Sequence, residues 1–175
     1  MNVVFLDIDG VLQPLNSFER FKYMNYDTIK YLSDKYHTDY FKYNYYDVCA
    51  VYVDWENSAV EKLKYILDST NSKIIISSNW RDVDYKSKMY DLLKLKDLHK
   101  YYYADNPYII DGSSYYRERA KEILASLNKY DIKNYVIIDD MVELIRYFPD
   151  NFVCVRNYLQ DRDVDNAIKI LKRNN

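Results

Sequence analysis

Apolar residues fall along this chain in two alternating patterns. Residues 3–6, 73–76 and 135–138 are short runs without polar alternation, as expected of strands buried on both faces of a parallel sheet. Between them apolar side chains recur every three or four positions. Val60, Leu63, Ile66 and Leu67 predict a helix over 58–69. Met89, Leu92 and Leu93 predict one over 85–95, and Ala120, Ile123, Leu124 and Leu127 one over 116–129. Residues 98–108 read as a loop with a short strand at 101–103, broken by Pro107, and 111–114 as a turn. A short helix over 142–147 stops before Pro149, a further strand occupies 152–155, and Val164, Ala167, Ile168 and Leu171 mark a terminal helix. Alternating strands and amphipathic helices predict an α/β sandwich, and right-handed crossovers bring the strand ends to one edge.

Residues 14–55 interrupt this rhythm. A plain strand-to-helix connection takes about two to six residues, so this segment is an insertion with structure of its own. It is crowded with Tyr and Phe. Residues 25–35 predict a short helix burying Ile29 and Leu32, and 47–53 alternate enough to predict a strand. Leaving the sheet just after the first strand, the insertion is expected to act as a small cap or specificity element.

The 175 residues suffice for one well-buried core, so a single domain is expected. A formal net charge of -2 gives no general electrostatic case for nucleic acid or membrane binding. The insertion's lysines are interrupted by Asp27, Asp34, Asp39 and Asp47, which weakens the case for a nucleic-acid groove there. Cys49 and Cys154 are too few for a disulfide framework, and no apolar stretch reaches the roughly 20 residues that cross a bilayer. A soluble, cytoplasmic protein with free thiols is expected. His37 and His99 have no clustered partners and read as structural or exposed.

The candidate chemistry sits at strand ends. Asp7 and Asp9 follow the first run, spaced so that both can face one side, and Gly10 lets the chain turn over them. Like charges held close require a shared proton or a cation, and a hard divalent ion such as magnesium is the simplest answer. Ser77, Ser78, Asn79, Trp80 and Arg81 follow the second run, and Asp139 and Asp140 the third. Each alone is an ordinary turn or helix cap. Their recurrence, in order, after successive buried strands points to one site at the edge where open α/β sheets bind ligands.

Asp7-Ile8-Asp9-Gly10-Val11-Leu12, the isoleucine run with Ser77-Ser78-Asn79-Trp80-Arg81, and Val136-Ile137-Ile138-Asp139-Asp140 together resemble the first, second and fourth motifs of the haloacid dehalogenase-like (HAD) phosphohydrolases. The Ser-Ser-Asn-Trp-Arg and Arg-x-x-Glu-Ile segments resemble compact members associated with RNA repair modules. The resemblance implies a three-layer α/β/α sandwich with a mainly parallel Rossmann-like sheet. It also implies Asp7 as nucleophile, forming an aspartyl phosphate, and Asp9 as general acid and then base. Mg2+ would be held by Asp7, the main-chain carbonyl of Asp9, Asp139 and Asp140. Phosphate would be bound by Ser77 or Ser78, with Asn79, and by one basic residue of the third motif. Arg119 is preferred for that role over Lys121 and Arg117. Trp80 is expected to pack beneath its loop, and Arg81 to anchor an acidic neighbour or touch substrate.

The expected reaction is phosphomonoester hydrolysis of a nucleotide or small phosphometabolite, with RNA a less favoured partner. The competing reading is a non-enzymatic or weakly active module that binds phosphate, RNA or another protein. Asp9 favours hydrolysis, because a binding module needs no proton carrier, and it argues against carbon–halogen cleavage, whose leaving group needs no proton.

Overall fold

The computed structural model describes residues 1–82 and 87–173. Five parallel strands, β1 (Asn2–Leu6), β2 (Ser72–Ile76), β3 (Tyr102–Asp105), β4 (Asn134–Asp139) and β5 (Phe152–Cys154), lie in the order β3-β2-β1-β4-β5. The helices are α1 (Tyr26–Tyr36), α2 (Tyr45–Cys49), α3 (Asn57–Thr70), α4 (Lys88–Lys94), α5 (Tyr115–Lys129) and α6 (Asp161–Leu171).

The apolar run of β1 makes it the centre of the sheet. Val4 and Leu6 point into one layer with Ile74, Ile76, Val136 and Ile138, against α3, α4 and α6. Val3 and Phe5 point into the other with Ile75 and Ile137, against Ala120 and Ile123 of α5 and Leu144 of a 3-10 helix, Val142–Arg146. Both faces are covered, giving the three-layer α/β/α sandwich. Each fully buried Leu, Ile or Phe contributes about 1.5–3 kcal/mol, so the layers are held mainly by these side chains. Asn71, in the left-handed conformation at φ 48°, ends α3 and returns the chain directly into β2.

The helical periodicities hold with small shifts of boundary. Tyr85, the start of the helix expected over 85–95, lies outside the described residues; α4 begins at Lys88. Leu124 was expected on the packed face of its helix, yet it is 46% exposed, because Arg119, Ala120, Glu122, Ile123 and Ser126 form the stripe that α5 buries.

The segment 14–55 is helical throughout its regular parts, and the strand expected over 47–53 is absent. α2 runs instead into a π-helical turn, Ala50–Asp54. The valines that suggested a strand are overridden by tertiary packing, since Val48, Cys49, Ala50 and Val51 all enter the α3/α4 layer. The ends of the segment meet where the Glu56 N–H donates to the Leu12 carbonyl at 2.8 Å. Its far side is tied to α4. The Tyr43 hydroxyl donates to Asp91 at 2.7 Å, the Tyr40 hydroxyl to the Asp91 carbonyl at 2.8 Å, and Lys88 pairs with Asp47 at 2.9 Å.

Candidate active site

Register decides which polar residues meet. Leu6 lies opposite Ile76 on β2 and Ile138 on β4, so the next residues, Asp7, Ser77 and Asp139, emerge side by side from three adjacent strands. Their backbones continue the ladder. Asp7 N–H donates to the Ile138 carbonyl at 3.0 Å and Ser77 N–H to the Leu6 carbonyl at 2.8 Å. β1 is the strand from which the order runs both ways, and the crevice at that switch point is where α/β sheets take ligands.

Asp7, Asp139 and Asp140 each place a carboxylate oxygen within 4.8 Å of the other two. Asp140 closes over Gly10, where an added Cβ would lie 2.8 Å from the Asp140 Cγ; Gly10 also has φ +73°. Both facts demand glycine there. Three hard oxygen donors suit a small divalent cation such as magnesium.

The electrostatics agree with that need. Burial pushes Asp7 up to about 6, against the pull of the Arg119 guanidinium. Burial, and then the Asp7 charge, hold Asp139 well above the usual carboxylate range. Asp140 is raised mainly by desolvation. Burial by itself would weaken the Arg119 proton, but Asp7 and Asp139 outweigh it and raise its affinity.

Arg119 is 2% exposed and reaches the cluster from α5. Its Nη1 lies 3.1 Å from Asp139 and 3.4 Å from Asp7 and also donates to the Ser77 carbonyl, while Nη2 donates to the Tyr115 hydroxyl. The other basic candidates do not reach it. Lys121 is exposed and pairs with Asp111, and Arg117 is exposed. Ser78 hydrogen-bonds the Asp7 carboxylate, whereas the fully buried Ser77 hydroxyl has no partner among the described residues. Asn79 is exposed beside them.

Asp9 stands apart from the carboxylate trio. Its Oδ1 accepts from Gln13 Nε2 at 2.9 Å and its Oδ2 from the Trp80 indole N–H at 2.9 Å. Trp80 is itself set against Trp55, ring centroids 5.9 Å apart. Gln13 was not singled out by sequence, and Trp80 only as packing; a polar side chain four residues from Asp9 was the available signal.

Arg81 is fully engaged. It donates to the carbonyls of Ser78, Asn106 and Pro107 at 2.6, 2.7 and 3.1 Å and pairs with Glu122 at 2.8 Å. It therefore anchors an acidic neighbour, fixing the Ser77–Asn79 loop to α5. Among the described residues no helix is long and apolar enough to cross a membrane.

Residues 3–164 match the family model of the HAD domain in Swiss Army Knife RNA repair proteins. The chain belongs to this family, within the superfamily of HAD phosphohydrolases. No curated protein and no solved structure matched it.

Proposed function

We propose that the protein is a magnesium-dependent phosphomonoester hydrolase that works through an aspartyl phosphate on Asp7. The observation that carries this reading is the meeting of Asp7, Asp139 and Asp140 from two neighbouring strand ends with buried Arg119 from α5. Asp7 attacks phosphorus as the bond to the leaving oxygen breaks, and Asp9 delivers a proton to that oxygen. Water then attacks the aspartyl phosphate, Asp9 takes up its proton, and release of phosphate regenerates Asp7. Arg119, anchored by the Ser77 carbonyl and Tyr115, offers positive charge to the phosphoryl oxygens, and the unpartnered Ser77 hydroxyl offers a donor. Asp7, Asp139 and Asp140, with the main-chain carbonyl of Asp9, would hold magnesium, which when bound offsets repulsion between the nucleophile and the phosphate.

The substrate is a nucleotide or similar small phosphate ester, in a cytoplasmic setting that suits the free thiols of Cys49 and Cys154. The family's occurrence in RNA repair proteins supports adding 5′- and 3′-phosphorylated RNA to the substrates tried. The test is phosphate release from p-nitrophenyl phosphate and a panel of natural monoesters with magnesium or with EDTA. Native protein should turn over with magnesium, and Asp7→Asn should lose about a thousandfold or more while keeping its circular dichroism. Absence of magnesium-dependent release across the whole panel would sink the proposal.

A further inference from the structure

We infer that the cavity between the loop after β3 and the first turns of α5 is a nucleoside subsite, which sets the substrate class as nucleoside monophosphates; this rests on the phosphohydrolase reading above. The cavity, of about 330 Å³, is lined by Asn79, Tyr108, Ile110, Tyr115, Glu118 and Arg119 among others. That volume is at the small end of ligand sites and suits a nucleoside better than an oligonucleotide.

Two lining residues set the cavity beside the cluster. Arg119 lines it while touching Asp7 and Asp139. Asn79 lines it between Ser78, which bonds Asp7, and Trp80, which bonds Asp9. The leaving group, which takes its proton from Asp9 in the proposed mechanism, would lie along this wall.

The walls are aromatic and held in place. The Tyr108 hydroxyl donates to the Arg81 carbonyl at 2.7 Å, and the Arg81 guanidinium carbon lies 4.2 Å from the ring centroid, which fixes this lining ring. The Tyr115 hydroxyl accepts from Arg119. Ile110, 85% exposed, supplies an apolar rim to the cavity. The Asn79 carboxamide offers both a donor and an acceptor to a base edge.

Charge disfavours a second phosphate. Among the described lining residues Arg119 is the one cation, and it serves the cluster. Glu118 adds negative charge, its Oε1 accepting from the N–H groups of Asp111 and Gly112, whereas the charge of Glu122, which accepts from the Ile109 N–H, is paired with Arg81. A neutral, flat leaving group fits these walls, whereas a sugar bisphosphate or a continuing nucleic-acid strand meets the Glu118 carboxylate.

The test compares kcat/KM for adenosine 5′-monophosphate and ribose 5-phosphate, which differ only by the base. Base–aromatic stacking implies a preference of about tenfold or more for the nucleotide in the native protein. Ile110→Ser and Tyr108→Leu should each narrow that ratio. Calorimetric titration of adenosine into the native chain, which needs no turnover, should show binding that Ile110→Ser weakens. Equal use of both esters, a ratio untouched by Ile110→Ser, or no adenosine binding would each overturn the inference. Failure of the phosphohydrolase reading looks different, with neither ester hydrolysed whatever adenosine does.

Discussion

In the mechanism proposed above, Asp9 is the side chain that has to be prepared for proton transfer. A carboxylate that must first give and then take a proton has to keep its orientation through both steps, and the Trp80 indole and the Gln13 amide hold one oxygen each. Trp80→Phe removes the indole donor while keeping most of the packing against Trp55. The loss in kcat should be about tenfold larger for an alkyl phosphate, whose leaving oxygen needs a proton, than for p-nitrophenyl phosphate. Equal losses on the two substrates would mean that Trp80 supports only the fold. Much of the site at this scale was legible, because Asp7, Ser77, Ser78, Asp139 and Asp140 follow buried runs that fix their register. The choice of Arg119 was legible too, since it lies four positions before Ile123 of the buried stripe, whereas Lys121 lies two before it, on another face. The grip on Asp9 was not legible, because Trp80 is 71 residues away and nothing local announces the pairing.

Among the elements, the segment from Pro14 to Trp55 owes its shape to interactions that leave little trace in periodicity. Arg20, 2% exposed, donates through Nε to Asp54 at 2.5 Å, and its guanidinium lies 4.2 Å from the centroid of the Tyr46 ring. That pair joins the 3-10 helix Glu19–Lys22 to the π-helical turn, a geometry that no repeat of two or 3.6 residues predicts. α1 was legible for the opposite reason. Asn25 caps it by accepting the Thr28 N–H at 2.9 Å, and Ile29 and Leu32 form a regular buried face. Asp54→Ala should destabilise the protein by about 3–5 kcal/mol, chiefly by leaving the Arg20 charge buried and unpaired. The double variant with Arg20→Met should recover a large part of that loss in urea unfolding. If it recovers none, the pair is not what orders the segment.

For the whole molecule, the concentration of buried carboxylates at one sheet edge makes stability depend on pH and on cations together. Burial lifts Asp7 and Asp105 to about 6, from an ordinary value of 3.8. Between those two values the folded protein keeps protons that the unfolded chain has released, so unfolding stability must fall as pH rises through about 6. A cation at the Asp7, Asp139 and Asp140 cluster reverses the cost by favouring the ionised form, and it competes with protons for the same oxygens. In EDTA, Tm should therefore drop between pH 5 and pH 7.5. Magnesium at a hundredfold its Kd adds about 2.7 kcal/mol, or roughly 5–10 °C for a chain of this size. Scanning calorimetry should show that rise at pH 7.5, a smaller one at pH 5, and almost none in Asp139→Asn. Asp105→Asn is the control that separates the two contributions. It should flatten part of the pH dependence in EDTA yet leave the magnesium response intact, because Asp105 lies outside the carboxylate trio. A magnesium response of equal size at both pH values would detach cation binding from these carboxylates and with it the electrostatic reason for gathering them at the switch point of the sheet.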